Sequence, residues 1–402
     1  MGQDIISRLI RKNEKKIIFL IMDGLGGLPQ NPGGLTELEA AVTPNLDRLA
    51  AAGTCGLLDP VGYGITPGSG PAHFALFGYD PVVFNVGRGL LGAAGLEFDM
   101  NEGDLYIRAN FATRDKNGLI TDRRAGRITT EKNQQLCALL QKKIVLSSGR
   151  KAFFVTEKEH RALVALRGAN LSEEIAETDP QKTGLSALPP VALSPEAGQT
   201  AADIAELLMQ VNKTLEEEEK ANTLLLRGYA AWRRFPSFNE RYGLNALAIA
   251  SYPMYRGIAR LLGMEVAAMT GTVEEELAVL RENYSAYNFF FIHIKYTDSR
   301  GEDGKFAEKV KVIEKIDALM PEICSLHPDV LVVTGDHSTP AAMSGHSWHP
   351  VPVLLAAATC RPDLAASFGE RSCLNGGLGR FPMKHLLALA LAHAGKLEKF
   401  GA

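Results

Sequence analysis

The sequence predicts an α/β protein with parallel strands and a second, smaller domain in its middle third. Three short apolar runs, KIIFLIM, NFFFIHI and DVLVVTG, are typical of strands that are buried on both faces of a parallel sheet. The helical pattern KFAEKVKVIEKIDALM separates the last two runs, as a crossover helix between parallel strands does. Because 402 residues are more than a typical single domain with one hydrophobic core contains, two domains are expected.

The N-terminal region shows the order strand, loop and helix. The first apolar run occupies residues 16–22 and is followed by Asp23 and a glycine-rich loop. The segment TPNLDRLAAAG then has the signals of a helix, with Thr43 as the N-cap, Pro44 at the first helical position and Gly53 at the end. This order indicates an α/β unit at the start of the chain.

The middle of the chain has a different character. It contains FFVTEKEHRALVALRG, a proline-rich loop and the helical pattern AADIAELLMQVNKTLEEEEKAN, so its patterns are more mixed than those of the flanking regions. We therefore predict that residues 101–272 form an inserted, smaller α/β (α+β) domain. Residues 1–100 and 273–402 then form the other, discontinuous domain.

Composition excludes several classes of partner. The formal net charge of -3 comes without a cluster of basic residues, which argues against nucleic acid and anionic membranes as partners. No apolar run approaches the ~18 residues of a membrane span, and the charged N-terminal stretch does not resemble a signal peptide, so a cytoplasmic location is expected. The five scattered cysteines lack a CxxC pair, which indicates reduced thiols. The sequence carries no signal for an oligomeric state.

Acidic and histidine side chains follow the predicted strands. Asp23 follows the first run, Asp298 follows the second, and Asp336 and His337 follow the third. Ligands of open α/β sheets bind beyond the carboxyl ends of the strands, so these four side chains are expected to converge. Each of them alone also fits a turn cap or a hydrogen-bonded structural residue.

Three further candidate ligands lie nearby in the sequence. Glu302 follows Asp298 by four residues, and His346 and His349 follow the third strand. Carboxylates mixed with imidazoles suit Mn²⁺, Zn²⁺ or Mg²⁺. About six ligands imply two ions, since each ion needs several protein ligands.

A candidate nucleophile lies in the segment GYGITPGSGPAHFALFGYDP. Ser69 stands between two glycines at the start of a predicted helix, where backbone N–H groups and the helix dipole favour phosphate. A serine needs a base or a metal to become a nucleophile, and the predicted ions could serve. The alternative is that Ser69 only caps the helix. His73, one turn later, could pack beneath the site.

These residues belong to longer segments that match a known family. The segments are IMDGLGG, TPNLDRLAAAG, TPGSGPAHFALFGYDP, TDRRAGRI, SFNERYGLNALAIASYPMYRGIARLLGMEV, KVKVIEKID and TGDHSTP. Through them the chain resembles the archaeal-type cofactor-independent phosphoglycerate mutases of the alkaline phosphatase superfamily, from about residue 15 to residue 395.

The resemblance implies an alkaline-phosphatase-like mixed sheet flanked by helices, with the inserted domain binding the substrate. It implies an isomerase, an intramolecular phosphotransferase of glycolysis and gluconeogenesis that interconverts 3-phosphoglycerate and 2-phosphoglycerate. The reaction would use a phosphoserine intermediate and two divalent metal ions, Mn²⁺ or Mg²⁺ with Zn²⁺ possible, and no bisphosphoglycerate. The partner is then a small-molecule substrate.

The resemblance also assigns roles to residues. Ser69 would be the nucleophile. One ion would be bound by Asp23, Ser69, Asp336 and His337, and the other by Asp298, Glu302 and His346. The substrate carboxylate needs cations, and guanidinium groups suit carboxylate and phosphate. The candidates are Arg123, Arg124, Arg127, Arg227 and Arg256.

Two positions depart from the family pattern. The family often has histidine where this chain has Glu302, and aspartate where it has Gly70. A carboxylate at 302 favours Mg²⁺ or Mn²⁺ over Zn²⁺. Two alternatives therefore stay open: a phosphohydrolase or another phosphomutase of the same superfamily, and a catalytically weakened binding or regulatory protein.

Overall fold

The computed structural model describes residues 5–84, 86–232 and 234–401 of the chain. The strands in chain order are β1 Ile17–Met22, β2 Thr54–Asp59, β3 Leu105–Arg114, β4 Ile120–Asp122, β5 Lys151–Lys158, β6 Arg161–Arg167, β7 Thr223–Ala231, β8 Ala246–Ala250, β9 Glu265–Val266, β10 Phe289–Ile294, β11 Val330–Thr334, β12 Val351–Ala357 and β13 Gly379–Pro382. The α-helices are α1 Ile5–Arg8, α2 Glu37–Ala40, α3 Pro44–Ala52, α4 Ser69–Leu76, α5 Arg88–Gly95, α6 Thr130–Lys143, α7 Gly198–Thr214, α8 Phe238–Tyr242, α9 Pro253–Leu261, α10 Val273–Asn283, α11 Tyr296–Glu302, α12 Phe306–Cys324, α13 Glu370–Leu374 and α14 Leu386–His393. Short 3-10 turns occupy Ala125–Arg127, Pro195–Ala197 and Met383–His385.

The chain divides into two units. The large unit comprises Met1–Asn85 and Pro236–Ala402, and the small unit comprises Val86–Phe235. Within the described residues, no helix combines the length and the apolar character that crossing a membrane requires. All five cysteines are free thiols, as the sequence indicated.

The large unit is built on an eight-stranded mixed sheet. Its strand order is β13-β2-β12-β11-β1-β10-β8-β9. Strand β1 is parallel to β10 and β11, whereas β12 is antiparallel to both β11 and β2. Helices α3, α10 and α12 contribute to the apolar cluster on one face of this sheet. The predicted α/β class, with a mixed sheet flanked by helices, is confirmed.

The three predicted strands are neighbours at the centre of this sheet. They are β1, β10 and β11, and every residue of each is buried, which explains their continuous apolar sequences. In register, Met22 pairs with Ile294 and Ile21 pairs with Thr334. The three strands therefore end together at one edge of the sheet.

Helix α3 begins at Pro44 and ends at Ala52, close to the predicted bounds. Thr43 occupies the N-cap position, but its side chain makes no capping hydrogen bond. Instead, the carboxylate of Asp317 accepts hydrogen bonds from the backbone amides of Asn45 and Leu46. The cap is therefore supplied by a distant helix, which local sequence does not reveal.

The small unit is an α+β structure. Its five antiparallel strands have the order β4-β3-β6-β5, with β7 on the other side of β3. Helices α6 and α7 contribute to the apolar core on one face of this sheet.

The unit boundaries differ from those expected for the inserted domain, residues 101–272. Strand β8 pairs in parallel with β10, so the chain from residue 236 onwards belongs with the large sheet. At the other boundary, α5 packs against β3 and β7. A Cβ atom at Gly89 would lie 2.2 Å from the carbonyl oxygen of Tyr106, so helix and strand are in direct backbone contact. The small unit therefore begins earlier and ends earlier than the sequence suggested.

Candidate active site

A buried group of acidic and histidine side chains lies where β1 and β11 end. Asp23 follows β1 directly, and Asp336 and His337 follow β11 after one glycine. All three side chains are fully buried. Nε2 of His337 lies 3.4 Å from Oδ1 of Asp23 and 3.3 Å from Oδ2 of Asp336. The parallel register of the strands thus brings these groups together, as the strand-end argument expected.

A second group shares His337 with the first. It consists of Asp298 on α11, His337, and His346 in the loop between β11 and β12. In each group the potential ligand atoms lie within 4.8 Å of one another. Nε2 of His346 is 3.7 Å from Oδ1 of Asp298. His349 is not in either group, and its Nδ1 contacts the hydroxyl of Ser347 at 3.0 Å.

The first group fits a divalent cation. Oδ1 of Asp23 and Oδ2 of Asp336 are buried and have no hydrogen-bond partner within the described residues. Burial and the neighbouring carboxylate of Asp336 raise the pKa of Asp23 to about 7, and burial raises the pKa of Asp336 to about 6. Two buried carboxylates ionise together at low cost only when a cation compensates them. Carboxylate with imidazole is a donor set for Mn²⁺, Mg²⁺ or Zn²⁺.

Hydrogen bonds orient both histidines as ligands. Nδ1 of His337 lies 2.9 Å from Oγ1 of Thr339, whose hydroxyl donates to Oδ1 of Asp298 at 2.7 Å. Nδ1 of His346 lies 3.0 Å from the carbonyl oxygen of Pro67, which can only accept. Both Nδ1 atoms therefore carry the proton, and both Nε2 lone pairs face the carboxylates. Burial lowers the pKa of His337 to about 3, so its ring is neutral.

Ser69 lies at the edge of the first group. It is the first residue of α4, and its Oγ is 3.3 Å from Nε2 of His337. Gly68 occupies the N-cap position and Ser69 is already the first helical residue, so a capping serine does not describe the structure. His73 packs beneath the serine: its Nδ1 is 2.8 Å from the carbonyl oxygen of Ser69 and 3.3 Å from Oδ2 of Asp336. Burial lowers the pKa of His73 to about 4.

Sequence reasoning missed several residues that contact these carboxylates, among them Lys295 and Tyr255. Nζ of Lys295 lies 3.0 Å from Oδ2 of Asp23 and also contacts Oδ2 of Asp298. The hydroxyl of Tyr255 donates to Oδ2 of Asp23 at 2.6 Å. Lys295 was detectable, because it follows β10 directly and precedes Asp298 by three residues. Tyr255 gives no such signal, since its helix α9 approaches from a distant part of the chain.

Burial lowers the pKa of Lys295, but the nearby carboxylates of Asp23 and Asp298 outweigh burial and place the net pKa above its usual value. Lys295 therefore stays cationic at the junction of the two groups.

A separate cationic cavity lies in the small unit. Its volume is about 200 Å³, and Asn110 and His160 line it together with seven arginines. These are Arg88, Arg108, Arg123, Arg124, Arg127, Arg161 and Arg227. Four of the five predicted arginines are thus brought together. The fifth, Arg256, belongs to the large unit, where it is buried and donates to the carbonyl oxygens of Ala250 and Ala267.

Two carboxylates orient part of this cavity. Asp179 accepts hydrogen bonds from Nε and Nη2 of Arg123 at 2.8 and 2.6 Å, and Nη1 of Arg227 is 3.6 Å away. Glu177 accepts from Nε of Arg227 at 3.1 Å. Burial raises the pKa of Asp179, but the bonds from Arg123 and from the amide of Gln181 outweigh it and lower the net pKa.

Four cavity arginines form no ion pair with any carboxylate of the described residues. They are Arg88, Arg108, Arg124 and Arg127. Guanidinium groups without a protein partner suit an anionic ligand, because they bind carboxylate and phosphate oxygens in pairs. The cavity is therefore suited to an anion.

Relatives of the chain are similar along its whole length. A Thermus thermophilus protein is 50% identical over 99% of both chains, and a Thermotoga maritima protein is 46% identical over 100% of this chain and 99% of that one. Both are named probable 2,3-bisphosphoglycerate-independent phosphoglycerate mutase. The chain belongs to this family. A family model described as 2,3-bisphosphoglycerate-independent phosphoglycerate mutase also matches residues 50–221.

Solved structures agree with membership of the phosphoglycerate mutase family. A cofactor-independent phosphoglycerate mutase from Thermoplasma acidophilum has a TM-score of 0.76 at 29% identity, covering 95% of this chain and all of that chain. A protein from Pyrococcus horikoshii has a TM-score of 0.82 at 29% identity, covering 97% and 100%. The predicted resemblance to cofactor-independent phosphoglycerate mutases is confirmed.

The two departures of this phosphoglycerate mutase homologue lie beside its acidic groups. Oε1 of Glu302 is 3.9 Å from Nε2 of His346, and the side chain is 53% exposed, so it lies outside the tight second group but faces it. Gly70 is buried in the first turn of α4. No carboxylate therefore extends from position 70, where the family pattern often has aspartate.

Proposed function

We propose that this chain interconverts 3-phosphoglycerate and 2-phosphoglycerate without bisphosphoglycerate, as an intramolecular phosphotransferase. One observation carries the proposal: the hydroxyl of Ser69 lies at a helix N-terminus beside a buried carboxylate and imidazole group. Full-length relatives at 50% identity bear the name of this activity. The substrate is a small molecule of glycolysis and gluconeogenesis, so we expect a cytoplasmic enzyme.

Two divalent ions, Mn²⁺ or Mg²⁺ with Zn²⁺ possible, are part of the proposal. Asp23, Ser69, Asp336 and His337 would hold one, and Asp298, Glu302 and His346 the other. The unpartnered oxygens of Asp23 and Asp336 and the outward Nε2 atoms of the two histidines support this assignment. When bound, such ions supply Lewis-acid charge for a serine alkoxide and for phosphoryl oxygens.

Ser69 is the proposed nucleophile. Its Oγ loses its proton and forms a bond to phosphorus while the bond from phosphorus to the glycerate oxygen breaks; that oxygen takes up a proton, which leaves phosphoserine and glycerate. The other hydroxyl of glycerate then takes the phosphoryl group back. Ser69 begins α4, and the amides of a helix N-terminus and its dipole would favour phosphoryl oxygens there. The ammonium of Lys295 adds positive charge near Asp23 and Asp298.

The arginine cavity of the small unit is the proposed site for the substrate carboxylate. Arg123 and Arg227 are held by Asp179 and Glu177, and further guanidinium groups remain available for an anion. A mutase must retain glycerate so that its phosphoserine has an acceptor other than water. That retention is what distinguishes a mutase from a phosphohydrolase.

The test is a product assay. Metal-loaded protein is incubated with 3-phosphoglycerate, and 2-phosphoglycerate and free phosphate are followed together. We expect 2-phosphoglycerate as the product. Free phosphate alone would instead establish a phosphohydrolase. Bound phosphoglycerate with neither product and no phosphoserine would establish a binding or regulatory protein.

Ser69→Ala should abolish the activity and the phosphoserine adduct, which mass spectrometry detects. Ser325→Ala is the matched control, because that exposed hydroxyl only donates to the carbonyl oxygen of Glu322 at 2.7 Å. Near-normal activity of Ser69→Ala would refute the covalent route.

A further inference from the structure

Lys309 on α12 is a buried lysine without a carboxylate partner within the described residues. Its side chain is fully buried. Nζ lies 2.8 Å from the carbonyl oxygen of Gly24, 3.2 Å from that of Gly26 and 2.9 Å from that of Thr339. An ammonium has three hydrogen-bond donors, so every donor is used. Buried lysines are rare because desolvation is costly, which indicates that these three contacts matter.

The three carbonyl groups belong to two loops that lie against each other. One loop follows Asp23, and the other follows His337. The amide of Thr339 also donates to the carbonyl oxygens of Gly24 and Gly26, at 3.2 and 3.1 Å. Thr339's own carbonyl oxygen accepts from Lys309 alone, as far as the described residues show. The ammonium therefore joins the two loops where they are also hydrogen-bonded to each other.

The same loops leave no free space. A Cβ atom at Gly26 would lie 1.9 Å from Oγ of Ser338. Glu37 also links the two loops, because its carboxylate accepts from the amide of Leu28 at 3.1 Å and from that of Ala341 at 2.7 Å. Lys309 donates hydrogen bonds to backbone carbonyl oxygens of the two loops, and Glu37 accepts hydrogen bonds from backbone amides.

Two of the three contacts of Lys309, those with Gly24 and Thr339, are one step from a candidate metal ligand. The hydroxyl of Thr339 bonds Nδ1 of His337 and Oδ1 of Asp298. The amide of Gly24 donates to Oδ1 of Asp336 at 3.1 Å. A shift of the Thr339 backbone would therefore turn the His337 ring and move Asp298, and a shift of Gly24 would move Asp336.

We infer that Lys309 is a positioning residue of the metal-ligand site, because its ammonium fixes through three carbonyl oxygens the two loops that carry Asp23 and His337. This inference rests on the proposed metal site. Lys309 touches neither the ligand side chains nor Ser69 directly, and it acts through Thr339 and Gly24.

The test is a calorimetric titration of metal-free protein with Mn²⁺, together with thermal unfolding of each metal-free variant. Lys309→Met removes the three donors and keeps a long apolar side chain. The matched control is Lys396→Met: Lys396 is also buried, and its Nζ donates to the carbonyl oxygen of Asn13 at 2.6 Å, remote in its contacts from the ligands. We expect both variants to unfold at lower temperature. Only Lys309→Met should bind Mn²⁺ at least tenfold more weakly, and Lys396→Met should stay within twofold of the wild type.

A double-mutant cycle tests the route through Thr339. If Lys309 acts through Thr339, combining Lys309→Met with Thr339→Val should weaken Mn²⁺ binding less than the product of the two separate losses. If the loss of Mn²⁺ affinity in the double variant equals the product of the two separate losses, Lys309 does not act through Thr339. If Lys309→Met fails to fold, Lys309→Gln takes its place in the titration, and wild-type affinity of that variant overturns the inference.

The outcomes separate the two proposals. Wild-type protein that binds no Mn²⁺ refutes the metal site and with it the inference. Wild-type protein that binds Mn²⁺ while Lys309→Met binds it equally well leaves the metal site standing and refutes the role of Lys309.

Discussion

Replacing Asp179 by alanine should raise the KM for substrate, an effect that can be measured separately from the loss of stability in the small unit. The side chain of Asp179 is fully buried, and its carboxylate holds Arg123 through two hydrogen bonds and lies 3.6 Å from Arg227. Without it, Arg123 keeps its charge but loses its orientation, whereas Arg227 keeps its hydrogen bond to Glu177. The cavity would then still attract an anion but would not present paired donors to it.

The structure sets the size of both effects. A hydrogen bond between charged groups contributes roughly 1.5–3 kcal/mol, and removing one partner of a buried pair costs roughly 3–5 kcal/mol. Because the side chain of Arg123 is 29% exposed, solvent screens part of this energy, and we expect a loss in the free energy of unfolding of about 3 kcal/mol. Losing one oriented contact to substrate, worth about 1.4 kcal/mol, raises KM about tenfold.

The assay compares Asp179→Ala with Asp203→Ala. Asp203 is equally buried in the same unit, and its carboxylate accepts a hydrogen bond from Nη1 of Arg150 at 2.6 Å. Neither Asp203 nor Arg150 lines the cavity. Steady-state kinetics with 3-phosphoglycerate should show a raised KM only for Asp179→Ala, with thermal midpoints lowered in both variants. Equal KM values for the two variants would refute the assignment of the cavity to the substrate.

Three further predictions concern other parts of the molecule. Glu302→His should shift the metal preference towards Zn²⁺ over Mn²⁺ at least tenfold, about 1.4 kcal/mol, in competition titrations; an unchanged ratio would remove Glu302 from the second ion site. Burial raises the pKa of Glu276 to about 8, above its unfolded value, so its contribution to stability is complete at acidic pH and is lost as pH rises through about 8. Thermal midpoints between pH 5 and 9 should therefore fall more for the wild type than for Glu276→Gln, and parallel curves would contradict this. Gly26→Ala should destabilise the protein by about 1–3 kcal/mol, because its Cβ would overlap Ser338, whereas Gly92→Ala, with open space around it, should not; chemical denaturation measures both.

The central strands and their terminal acids were predictable because the signal is local. The run before Asp23 reads as a buried strand in any context, and the carboxyl ends of parallel neighbours must meet. The same reasoning located Asp336 and His337. Serine at a glycine-flanked helix start is also a local signal, although sequence alone left its role open.

Other features depend on contacts between distant parts of the chain. Arg256 has the same side chain as the cavity arginines, but α9 directs it to backbone carbonyl oxygens of Ala250 and Ala267. The boundary of the small unit depended on β8 pairing with β10, a choice that the sequence of β8 does not encode by itself. Asp317, which caps α3, is separated from Asn45 by 272 positions.

The position of β1 at the centre of the large sheet constrains how the protein is made. Both neighbours of β1, the strands β10 and β11, are encoded far downstream, and Gly24 and Asp336 are 312 positions apart. At roughly 5–20 residues per second, a ribosome needs on the order of 15–60 s to bridge that interval. For most of this time the apolar segment of β1 has neither neighbouring strand, so it can aggregate or bind chaperones. A chain released before residue 289 leaves β1 unpaired on both sides and lacks Asp298, Asp336 and His337.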